Sequence, residues 1–176
     1  MMKAILSLLF ISNLIYSKEV CIVPKILLET IQITENEKSY PYYIRTNQHS
    51  TIDKFYSIFE KYQFKKTKDK MLLDCLNVQN CITITQELIS NKITNLDLGL
   101  FQVNYNSYKF PINIYFDKQK SEKYACKIIQ DKIKLNNGKW SWNVLASYHS
   151  LTPKYNKIYM KKLIKNYIKL NKYNIK

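Results

Sequence analysis

Glycine is almost missing from this chain of 176 residues, with Gly99 and Gly138 as the two examples. Glycine-rich phosphate loops and dinucleotide-binding turns need several glycines to bring backbone N–H groups against a phosphate, so both classes are excluded. Proline is scarce too, at four residues. The two histidines, His49 and His149, and the four cysteines, none in a Cys-x-x-Cys pair, show no ligand spacing for zinc. No cofactor is expected. Acidic residues number 13 against 28 lysines and arginines, a net charge of +15. Such an excess suits an anionic partner such as a cell wall, a membrane surface or nucleic acid. Lys, Asn, Ile and Tyr are nevertheless all over-used together, as AT-rich coding alone would produce. The lysines are spread along the chain rather than gathered into an arm, which argues against nucleic acid.

The hydrophobic share of 46% and the length suit one domain with a real core. Met1-Met2-Lys3 is a short positive head, Ala4 to Ile15 an apolar run, and Ser17 a small residue at a cleavage position. This reads as a signal peptide over 1–17, too short to span a bilayer, followed by a mature domain over 18–176. A periplasmic or secreted protein with no stable membrane anchor after cleavage is the expectation. Export brings oxidising conditions, so Cys21, Cys75, Cys81 and Cys126 are expected in disulfides. Three connectivities are possible. The short separation of Cys75 from Cys81 favours a local loop staple, which leaves Cys21 for Cys126.

Periodicity predicts a mainly α-helical single domain with little sheet. Pro24 suits a first helical residue, and ILLETIQITE (26–35) reads as a helix. At 100° per residue, Leu28, Ile31 and Glu35 fall within about 60° of one another. Glu35 is therefore a carboxylate on the apolar side of a helix, near its end. Desolvation there disfavours the charged form, as a proton donor requires. Residues 36–50 read as loop and turn. Residues 52–62 fit helix or strand, and 65–70 a charged loop. Residues 82–90 read as a helix with Thr83 or Thr85 as N-cap. A core helix over 121–135 should stop at Asn137-Gly138, with another helix over 140–150. Thr152-Pro153 should open a last one, with Leu163, Ile164, Tyr167 and Ile168 inward.

Three short segments lie in a particular order: the apolar helix ending in Glu35, the turn DLGLFQVN from Asp97 to Asn104, and Ala146-Ser147-Tyr148-His149-Ser150. Together they resemble the signatures of the soluble lytic transglycosylases, and most closely the small type IV secretion-associated peptidoglycan enzymes. The resemblance spans roughly residues 19–160. This chain departs from the pattern at Asn36 (usually Ser), Phe101 (usually Met) and His149 (usually Asn).

The resemblance implies an α+β lysozyme-like fold with a substrate cleft. It implies cleavage of the β-1,4 bond between N-acetylmuramic acid and N-acetylglucosamine, with Glu35 as acid and base. Gln102, Asn104 and Tyr148 would contact substrate, Gly99 would let the chain approach the sugar or turn tightly, and Asp97 would support the turn by accepting backbone N–H bonds. Tyr148 could hydrogen-bond Glu35, and His149 would lie at the rim. Glycan strands of peptidoglycan are the expected partner, and secretion-system components a further one. Goose-type lysozymes carry an acid just after the corresponding turn, where this chain has Asn104. That favours a single-carboxylate route to a 1,6-anhydro product, with no buried partner charge expected for Glu35. A true lysozyme and a non-catalytic wall-binding assembly protein are the alternatives.

Overall fold

A computed structural model describes residues 20–36 and 39–174. The proposed signal segment, 1–17, lies outside them. Seven helices and one small antiparallel sheet of five strands make up the described residues. None of these helices is long and apolar enough to cross a membrane.

Helix α1, Lys25–Glu35, follows Pro24, which takes the cap position with extended ψ (134°) rather than the first helical turn. Leu27, Leu28, Thr30 and Ile31 are its buried residues. The chain leaves the helix at Asn36, in extended conformation, whose N–H donates to Gln32 O at 2.7 Å. Glu35 is thus the last helical residue, one partly buried turn beyond Ile31.

The sheet contains β1 (Tyr43–Thr46), β2 (Lys65–Lys66), β3 (Leu72–Asp74), β4 (Leu96–Leu98) and β5 (Val103–Asn104), in the order β2-β3-β1-β4-β5. Strand β1 corrects the expectation of loop over 36–50. Its four residues, Tyr-Ile-Arg-Thr, alternate between half-buried and buried. One alternation is too short to stand out in sequence, but pairing on both sides makes the segment the centre of the sheet. Arg45 lies opposite Asp97 in β4, and Asp97 opposite Asn104 in β5. The charged segment after residue 64 likewise begins as an edge strand.

Helices α2 (Ile52–Phe59) and α3 (Val78–Ser90) connect sheet segments, and α4 (Ile112–Phe116) follows the last strand. In α2 the helix wins the choice left open, because Phe55, Ile58 and Phe59 bury one face. Helix α3 starts earlier than expected: Asn77, rather than Thr83 or Thr85, is its N-cap, and the Asn77 side chain accepts from Asn80 N–H. Helix α5 (Lys118–Leu135) is capped by Asp117 and closed by Asn137 and Gly138, both at positive φ. Helices α6 (Trp142–Ala146) and α7 (Pro153–Asn174) complete the chain. Leu163 is buried in α7, whereas Ile168, expected inward, is 50% exposed. Helix α7 packs on α1 and α6, and Ile168 faces away from the side that carries Leu163. Ile31, Ile44, Phe55, Leu73, Leu88, Leu98 and Leu163 belong to one core shared by sheet and helices.

Disulfides join Cys75 to Cys81 and Cys21 to Cys126, the pairing that spacing favoured. The second closes a separation of 105 residues and ties the segment before α1 to α5. Replacing Cys21 and Cys126 together by Ser should lower stability by about 2–4 kcal/mol, because the unfolded chain regains the freedom of a long loop. Chemical denaturation of the double variant against the oxidised parent measures this.

Candidate active site

The three motifs, far apart in sequence, line one cavity of about 950 Å³. Glu35 enters from the end of α1, Asp97, Gln102 and Asn104 from the β4–β5 hairpin, and Tyr148 and His149 from the turn after α6. A smaller hollow of about 360 Å³, walled by residues such as Ile22, Ile129, Trp140 and Tyr167, contains no carboxyl or imidazole group. Glu35, Asp97 and His149 all line the larger one.

Glu35 is held from behind. The adjacent Thr34 hydroxyl donates to Thr30 O at 2.6 Å and accepts from Asn166 Nδ2 of α7 at 3.0 Å. The Glu35 side chain is 11% exposed, and its Oε1 lies 3.5 Å from His149 Nδ1. His149, whose own side chain is 47% exposed at the rim of the cavity, thus also faces Glu35, a contact the sequence did not lead one to expect. The cause is backbone geometry. Helix α6 ends at Ala146, and the chain tightens, with Tyr148 N–H donating to Leu145 O and His149 N–H to Ala146 O. Those turns swing position 149 toward the cavity. Contact with Glu35 raises the imidazole's affinity for its second proton. Desolvation and Lys162 oppose that rise, and Asp97 adds to it.

The hairpin is stiffened by its own polar groups. Asp97 accepts from Asn47 Nδ2 and Asn104 Nδ2, both at 2.8 Å. Its support comes from side-chain amides rather than the expected backbone N–H groups, because Arg45 and Asn104, the residues opposite it, already occupy the ladder. Burial pushes the Asp97 carboxyl above its usual range; the two amides and His149 oppose this, and the Glu35 charge adds to it. Asn104 also donates to Asn95 Oδ1 at 2.9 Å and accepts from Ser107 N–H at 3.0 Å. Gln102 sits at φ +44°, and its amide donates to Gly99 O at 2.7 Å. Asn104 and Gln102 therefore build the wall as well as line it.

Two further residues differ from expectation. Of the two readings of Gly99 the tight turn holds, and the close approach is to protein rather than to the sugar: at φ +71°, a Cβ there would sit 1.8 Å from Tyr115 O. Tyr148 does not bond Glu35. Its hydroxyl donates to Phe101 O at 2.8 Å and clamps the hairpin to the α6 turn. Burial, and then the nearby Glu35 charge, keep this phenol neutral well beyond the ordinary range. Tyr148→Phe should cost about 1–3 kcal/mol through the abandoned buried carbonyl, a shift readable in thermal denaturation. Turnover per folded molecule should change little.

Sequence reading missed Asn47, Asn95, Tyr155 and Tyr159. Asn47 becomes visible once β1 is known to pair with β4, since it then lies one residue beyond that ladder. Tyr155 and Tyr159 are one helical turn apart on α7; Tyr155 lines the cavity, and Tyr159 stacks on His149 at 4.5 Å between centroids and 7° between planes. The Tyr159 hydroxyl is buried and near enough to Glu35 to feel its charge, without the geometry of an ordinary hydrogen bond. Among the described residues, no cluster of three or more His, Cys, Asp or Glu could hold a metal. No protein-family model, curated protein or solved structure matches the chain.

Proposed function

We propose that this protein is an exported peptidoglycan lytic transglycosylase of lysozyme-like fold, acting in the periplasm or outside the cell. The observation that carries the reading is a nearly covered carboxyl group, Glu35, inside a large cavity otherwise rich in amides and hydroxyls. Amides and hydroxyls match the groups of an N-acetylated glycan, and the two disulfides suit an oxidising compartment. Local wall opening for a secretion system is the cellular role that the resemblance of the three motifs implies.

The chemistry requires one group that gives and then regains a proton. Glu35 donates to the glycosidic oxygen as the bond from the muramic acid C1 breaks. The substrate's own N-acetyl oxygen stabilises the cation at C1. Glu35, now ionised, takes the proton of the C6 hydroxyl while O6 bonds to C1. The product is a 1,6-anhydro sugar, and Glu35 regains its starting state without water being consumed.

One observation favours a second reading. Asp97 is a carboxyl group in the same cavity, and hydrolases of this type usually work with two carboxylates. Asp97→Asn separates the two. Under the transglycosylase reading Asp97 only braces Asn47 and Asn104, so cleavage should fall less than about tenfold, well short of the loss expected for an acid–base residue. A folded Asp97→Asn protein that leaves no clearing in a peptidoglycan zymogram would instead favour the hydrolase.

A further inference from the structure

We propose that His149 is the positioning partner of Glu35: its imidazolium stabilises the carboxylate left when Glu35 gives up its proton, and so sets the pH range in which Glu35 can act. The proposal rests on the reading of Glu35 as acid and base.

The geometry supports a fixed partner rather than a passing contact. His149 Nδ1 lies 3.5 Å from Glu35 Oε1. The imidazole lies flat on the buried Tyr159 ring, and its backbone is held by the bond from His149 N–H to Ala146 O at 3.2 Å. Ring and backbone together leave the imidazole few alternative orientations. The His149 side chain is 47% exposed against 11% for Glu35. His149 can therefore exchange protons with bulk water while Glu35 is largely shielded.

The charged groups facing His149 act in two directions. Glu35 from α1 and Asp97 from β4 favour its protonated form, and Lys162 from α7 disfavours it. Tyr148 and Tyr159 stay neutral beside it. Coupling between two sites is reciprocal, so a proton on His149 also favours the ionised form of Glu35. Two consequences follow, with opposite signs. When both groups are protonated, the imidazolium eases proton donation because it stabilises the carboxylate being formed. As pH rises, the same imidazolium draws Glu35 into the ionised state, where it has nothing to donate. An uncharged amide at 149 would do neither.

The His149→Asn protein should therefore keep activity to higher pH. Its alkaline limb of kcat/KM should move up by about one pH unit, the scale of an opposite charge at this distance. At acidic pH its kcat should fall about tenfold below the parent, so the two profiles cross. A residue that only filled space would scale the whole profile without moving its limb.

NMR titration of the ring protons supplies a reading independent of activity. His49 and His149 are the only histidines, and His49 is the internal reference. His149 should titrate above the ordinary imidazole range in the parent and return toward it in Glu35→Gln. An unchanged His149 midpoint in Glu35→Gln, or an unshifted limb in His149→Asn, would overturn the proposal in a protein that still cleaves peptidoglycan. A coupled His149 in a parent protein that cleaves peptidoglycan at no pH would overturn the functional reading, and the positioning role of His149 with it.

Discussion

Glu35→Gln should lower peptidoglycan cleavage by about a hundred- to ten-thousand-fold, the usual contribution of a positioned acid–base group. The amide matches the carboxyl in shape but can neither donate the required proton nor take one from the C6 hydroxyl. Folding should survive. The substitution removes the partner of His149, but that imidazole is half exposed, and water screens most of the loss. Thr34 and Asn166 remain to hold the end of α1. Steady-state rates paired with far-ultraviolet circular dichroism test both halves of the expectation. A folded Glu35→Gln protein within tenfold of the parent would remove Glu35 from the chemistry.

The largest loss of stability is expected at Gly99. Gly99→Ala must place a Cβ 1.8 Å from Tyr115 O, which is backbone and cannot swing aside as a side-chain end could. The residue also sits at φ +71°, where an L side chain is strained by about 1–2 kcal/mol. Clash and strain together should cost at least about 4 kcal/mol, among the larger effects a single substitution produces. The β4–β5 hairpin and α4 would have to separate, and the cavity wall carrying Asp97, Gln102 and Asn104 would move with them. Gly138 is the control. Its φ is +74°, but a Cβ there would meet nothing within 4 Å, so Gly138→Ala should cost only the strain, about 1–2 kcal/mol. Equal melting temperatures for the two variants would show that contact with Tyr115 does not set the requirement for glycine.

Helical spacing made the sheltered position of Glu35 legible. Leu28, Ile31 and Glu35 share a face because three- and four-residue steps return to the same side, and that face is the buried one in α1. The stop at Asn137-Gly138 was legible for a similar reason: positive φ suits these residues, and both adopt it. Strand β1 was not legible, because its stability comes from β3 and β4 on either side rather than from its own four residues. The partner of Asp97 was hidden with it, since Asn47 reaches Asp97 only through that pairing. The place of His149 was not legible either, because a helix continued through residue 150 would have carried it elsewhere. The tightening of the chain after Ala146 is a tertiary outcome, fixed where Tyr148 reaches Phe101 O. Gly99 was recognisable as special, but whether a glycine admits substrate or neighbouring backbone depends on α4, which the sequence pattern did not reveal.

Under the proposed function Glu35 cleaves the glycan without water, using the substrate's own C6 hydroxyl. Mass spectrometry of the fragments released from purified peptidoglycan by the full-length mature protein tests it most directly. The expected products are muropeptides ending in 1,6-anhydro-N-acetylmuramic acid, each one water lighter than its hydrolysed counterpart, and none of them from the Glu35→Gln protein. Fragments carrying only reducing ends would contradict the claim and transfer the second role to Asp97.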